Sequence, residues 1–95
     1  MVSAIGTLNT ESASKYLQQL CKHFSHKLKV SFTPAEGHIE FPFGQCELKA
    51  QDNRLTLKAI SPDQENLTKL KPVIESHLKR FAFREEEELK WGEGI

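Results

Sequence analysis

Four histidines, two cysteines and an arginine-flanked aromatic segment are the residues of this 95-residue chain whose types could support chemistry. Cys21, His23 and His26 stand close together in the chain and, written in a line, look like nitrogen and sulfur ligands for a metal ion. Helical geometry divides them. At about 100° per residue, Cys21 and His23 point about 160° apart, whereas His23 and His26 are about 60° apart and share a rim. His77 falls beside the apolar stripe of a second helix, so His23, His26 and His77 form a candidate metal set. Cys46 or an acidic side chain is a further donor, and zinc or ferrous iron suits such mixed ligation. The opposing reading is that imidazoles next to an apolar stripe are packing groups, hydrogen-bonded to backbone or carboxylate. His26 then caps helix carbonyls, and His38, which follows a turn glycine, faces solvent.

Cys21 shares the phase of a helical core and reads as a small buried hydrophobe. Cys46 is in phase with Leu48 and Ala50 on a covered face, but Gly44-Gln45 puts it near a sheet end where access is expected. There is no CxxC, GxSxG, HExxH or glycine-rich phosphate loop. Lys79, Arg80 and Arg84 surround Phe81-Ala82-Phe83 and suggest an anion site. The run Glu85 to Glu88 would neutralise it, so a solvated ion-pair cluster is the alternative. The ligand-binding candidates are therefore His23, His26, His77, Cys46, Arg80 and Arg84, with no residue assigned to catalysis.

These residues must be positioned by one small domain spanning residues 1–95, since the chain is too short for two full-sized ones. Apolar residues make up 38% and charged residues 27%, enough to build a core. Thirteen Lys plus Arg balance thirteen Asp plus Glu, which argues against nucleic acid or an anionic membrane as partner. No apolar stretch reaches the roughly 18 residues of a membrane span, and no signal-like segment opens the chain. A cytoplasmic location with free thiols is the expectation. A homodimer or a bound ligand would supplement the small stability margin of such a domain.

Hydropathy periods set out the elements. Val2 to Leu8 reads as a strand, and Asn9 or Thr10 as the cap of a helix with Tyr16, Leu17, Leu20, Cys21 and Phe24 on one stripe. Four alternating segments follow: Leu28-Val30-Phe32, Ile39-Phe41-Phe43, Cys46-Leu48-Ala50 and Leu55-Leu57-Ala59. Turns are expected at Ala35-Glu36-Gly37, Gly44-Gln45 and Asp52-Asn53. Pro42 predicts a bulge or an edge position. Ser61-Pro62-Asp63-Gln64 opens a second helix, with Ser61 as cap and Gln64 completing a capping box. Its stripe is Leu67, Leu70, Ile74, Leu78 and Phe81, with Pro72 on the far side. Leu89 and Trp91 share a face of a final strand. The sum is an α+β fold, an antiparallel sheet with two helices on one face in the order β-α-β-β-β-β-α-(β).

Tyr16-Leu17, Leu20 to Lys27, Gly44 to Leu48, and His77-Leu78 with Arg80 to Glu85 together resemble the DUF2218 family of small uncharacterised bacterial proteins. The resemblance implies a TATA-binding-protein-like fold, without importing DNA binding. Some members look like companions of siderophore-interacting flavoproteins, which implies iron-related biology and a protein partner in iron metabolism. It also places His23, His26, Cys46, His77, Arg80 and Arg84 first among residues to test.

The functional expectation is a small-ligand or transition-metal-binding accessory protein rather than an enzyme. The alternative is a protein-protein or dimerisation module whose histidines are structural. A small enzyme using Cys46 or a histidine ranks third, because no nucleophile and base are paired locally.

Overall fold

The computed structural model describes residues 1–82 and 89–93. Its elements are β1 (Val2–Asn9), α1 (Ala13–Phe24), β2 (Lys29–Phe32), β3 (Glu36–Phe41), β4 (Gly44–Gln51), β5 (Arg54–Ser61), α2 (Gln64–Phe81) and β6 (Lys90–Glu93). The six strands form one antiparallel sheet in the order β2-β3-β4-β5-β1-β6. Strands β2 to β5 are the expected meander, and β1 lies beside β5 with β6 on its far edge. Both helices cover one face, because each has one apolar stripe and the strands alternate. Tyr16, Leu17, Leu20, Cys21 and Phe24 of α1 are buried, as are Leu67, Leu70, Ile74 and Leu78 of α2. They meet Ile39, Phe41, Cys46, Leu48, Leu55, Leu57 and Ala59 from the sheet.

Several local expectations are corrected. The β3–β4 reversal uses Pro42-Phe43, not Gly44-Gln45, so Phe43 leaves the strand and Gly44 opens β4 opposite Phe41. A two-residue turn needs no ladder donor at Pro42. The β2–β3 turn sits at Thr33 to Ala35, where Thr33 Oγ1 accepts the backbone N–H groups of Ala35 and Glu36 at 3.2 and 3.1 Å. Asp52-Asn53 does turn β4 into β5, with both residues at positive φ (53° and 56°), the left-handed pair a tight hairpin requires.

Ser12 caps α1 without a side-chain bond, and Thr10 instead accepts the Ser12 N–H. Asp63, not Ser61, caps α2: its carboxylate accepts from the Asn66 N–H at 2.9 Å. Ser61 ends β5, buried, and its hydroxyl donates to the Phe43 carbonyl. Pro72 stays inside an unbroken α2 on its exposed side.

Strand β6 is held by Trp91. Its indole lies against Gly6 of β1, where an added Cβ would come within 3.1 Å of the ring, and Nε1 donates to Glu75 Oε1 at 3.0 Å. Trp91→Phe keeps the ring contact and loses this bond. A destabilisation of about 1 kcal/mol is expected, a drop in melting temperature of about 5 °C in a circular-dichroism melt.

Candidate functional site

Helices α1 and α2 pack side by side, so the last turns of their stripes meet at one end of the domain. There the rings of His23 and His77 stand with centroids 5.0 Å apart, tilted by 44°. Phe24 is packed against both, 5.3 Å from His23 and 4.8 Å from His77. Phe81 adds an edge contact to His23 at 5.9 Å, and Phe41 stacks edge-on behind Phe24 at 5.0 Å. Both imidazoles are half-buried.

The tautomer of His77 follows from its helix. Nδ1 lies 2.7 Å from the carbonyl oxygen of Val73, one turn earlier. A carbonyl only accepts, so Nδ1 carries the proton and the neutral ring keeps its acceptor lone pair on Nε2. This is the arrangement metal-ligating histidines commonly adopt, with the second nitrogen held by a backbone carbonyl.

Burial first, then the charges of His77, Arg80, His26 and Lys27, hold the His23 pKa below its ordinary value of 6.5. The unfolded chain therefore binds more protons at this residue than the folded one. Its contribution leaves stability intact above pH 6.5 and erodes it as pH falls from there toward the lowered pKa. His23→Gln is expected to flatten the change in urea midpoint between pH 7.5 and 5.5, measured on metal-free protein.

Of the remaining sequence candidates, His26 and Arg80 stand near enough to His23 for their charges to act on it, and Cys46 does not join them. His26 is exposed just beyond α1, where its charge acts on His23. Arg80 is exposed on the last turn of α2. Arg84 and the run Glu85 to Glu88 lie outside the described residues, so of the expected anion site only Lys79 and Arg80 are described, and its neutralisation is not. Cys46 is not accessible at a sheet end. It is fully buried beneath the helices, and desolvation, with lesser effects of Cys21 and Glu47, drives its thiol pKa upward. Cys21 is fully buried too, with its pKa pushed up to about 11 by desolvation, and both thiols are free. Among the described residues, no three His, Cys, Asp or Glu side chains form a group that could hold a metal ion. The expected set of His23, His26 and His77 reduces to a pair.

Sequence reasoning put His77 beside the Phe81 stripe but did not bring Phe24 and Phe41 to the imidazoles. His77 and Phe81 share a helix face at i and i+4, a legible signal, whereas Phe41 arrives from the sheet with none. It also missed His38, half-buried on the open face of the sheet rather than simply solvated.

The model of a family described as an uncharacterized protein conserved in bacteria, DUF2218, matches residues 6–92. The chain belongs to this family. A similar solved structure, the NMR structure of PA4090 from Pseudomonas aeruginosa, is 37% identical. The match covers 97% of this chain and 96% of that one with a TM-score of 0.80, so the α+β fold is shared. No curated protein matches. Among the described residues no helix is long and apolar enough to cross a membrane.

Proposed function

We propose that the domain is a binding accessory protein that takes a transition-metal complex or similar small ligand at the His23–His77 seam. The observation that carries this reading is the imidazole pair itself, 5.0 Å between ring centres, with His77 Nδ1 engaged by Val73 and Nε2 left as acceptor. With nitrogens about 2.1 Å from a zinc ion, two imidazoles in adjacent positions have ring centres about 5 Å apart. Two donors are a partial set, so a metal there keeps positions for water or for a chelating molecule. Imidazole suits zinc and iron alike, and an iron-linked role is the form the family resemblance implies.

The test is native mass spectrometry with elemental analysis on protein purified without chelator, followed by titration with zinc and, anaerobically, ferrous iron. One ion per chain is expected, with affinity reduced at least about tenfold in His23→Ala and in His77→Ala. Metal-free protein that neither ion perturbs would sink the reading. Equal binding by both variants would do the same.

A second reading, docking of a protein partner or a second copy, is favoured by Phe32, which is 37% exposed on the edge strand β2. A dimer in the same mass spectrum that dissociates in Phe32→Ser would support it.

A further inference from the structure

The sheet face turned away from the helices holds a concavity of about 620 Å³ spread across β2 to β5. Glu36, His38, Glu47, Lys49, Thr56 and Lys58 line it. They alternate along their strands with Ile39, Cys46, Leu48, Leu55 and Leu57, whose side chains are buried under the helices. Its volume lies within the range of small-molecule sites.

The register arranges its charges in rows. His38 stands opposite Glu47, and Glu47 opposite Lys58; in the next row Glu36 stands opposite Lys49, and Lys49 opposite Thr56. Directly opposed side chains start about 5 Å apart at Cβ, close enough for unlike charges to meet. They do so at Lys29 and Glu40, whose Nζ and Oε2 are 3.9 Å apart, outside the concavity. Among the described residues no ion pair joins Glu47 to Lys58 or Glu36 to Lys49. Two carboxylates and two ammonium groups therefore border one hollow with no ion pair made among the described residues.

We propose that this concavity binds a small zwitterion, a free amino acid or a short peptide with both ends charged. The ammonium of the ligand lies against Glu36 or Glu47 and its carboxylate against Lys49 or Lys58. A ligand of one sign would bring its charge beside a like charge in the same row, and a neutral one would leave all four groups unmet. The zwitterion alone matches both signs. This site shares no residue with the imidazole pair, so either can fail without the other.

Titration of ¹⁵N-labelled protein with the dipeptide alanyl-alanine, followed by amide chemical shifts, tests it. Saturable shifts are expected at residues 36–38, 47–49 and 56–58 at millimolar peptide. N-acetyl-alanyl-alanine amide, which carries no charge, is expected to bind at least about fivefold more weakly, as is the unblocked dipeptide to the double variant Glu47→Gln/Lys58→Gln. Equal shifts with the blocked and unblocked peptides would overturn the proposal, as would no saturable shift with either.

Discussion

Gly44→Ala is expected to destabilise the domain by about 3 kcal/mol or more, lowering the melting temperature by about 15 °C or leaving it unfolded at room temperature. The reason is the crowding where β4 begins. A Cβ on Gly44 would lie 2.5 Å from the backbone carbonyl oxygen of Ile60, 2.5 Å from Ser61 Oγ and 2.9 Å from a methyl of Leu70. Ser61 is tied to the Phe43 carbonyl, Ile60 is fixed in the β5 ladder opposite Gln45, and Leu70 is fully buried in α2. None of the three can retreat alone. Relief requires moving β4 from β5, or α2 from the sheet, and each movement opens the core. Since a whole domain of this size is stable by only about 5–15 kcal/mol, the substitution removes a large part of the margin.

Gly92→Ala is the control. There, among the described residues, an added Cβ would meet only the Ile5 carbonyl oxygen, at 4.0 Å, an ordinary contact. A change within about 0.5 kcal/mol is expected for such a surface position. Thermal unfolding of the two variants side by side, followed by circular dichroism, separates close approach at the β3–β4 corner from any general intolerance of side chains at glycine. A Gly44→Ala melt within a few degrees of the parent chain would show that the corner yields.

The contrast between these glycines also marks how far the sequence was legible. Hydropathy period identified α1, α2 and all the strands, because burial on one side imposes 3.6-residue or two-residue spacing whatever the partner is. Tyr16 to Phe24 could be assigned to a helix without knowing what covers it. Turns and caps were read less well, because several polar or small residues in a row can each satisfy the same local need. Ser61 and Asp63 can both accept a helix N–H, and only the burial of Ser61 against Phe43 leaves the cap to Asp63. The proximity of His23 and His77 required more than phase. Each helix sets which way its imidazole points, but the axial offset between helices is set by how both pack on the sheet. Cys46 was misjudged for a related reason: moving the turn to Pro42-Phe43 lengthens β4 and draws its start under α2. The charges on the open face that make no ion pair among the described residues follow from neither period nor motif, because cross-strand register alone would have paired them.

Phe24→Ala is expected to have the second large effect, and it joins fold to site. Phe24 is 8% exposed, and its ring contacts His23, His77 and Phe41 with centroid distances between 4.8 and 5.3 Å. Truncating a buried phenylalanine to alanine costs about 3–5 kcal/mol, so the melting temperature should fall by about 15 °C or more. The local consequence is more specific than the loss of stability. Phe24 is the wall against which both imidazoles rest, and without it the ring contacts of His23 among the described residues are those with Phe81 and with His77 itself. Zinc affinity should therefore weaken in Phe24→Ala even at temperatures where the variant is fully folded. Phe24→Leu refills much of the volume, costs about 1.5 kcal/mol or less, and should recover most of the binding. Calorimetric titration at a temperature where both variants and the parent are native compares them directly. Undiminished zinc binding by Phe24→Ala would mean that Val73 and the helix backbones are sufficient to hold the pair, and that the aromatic wall serves the core alone.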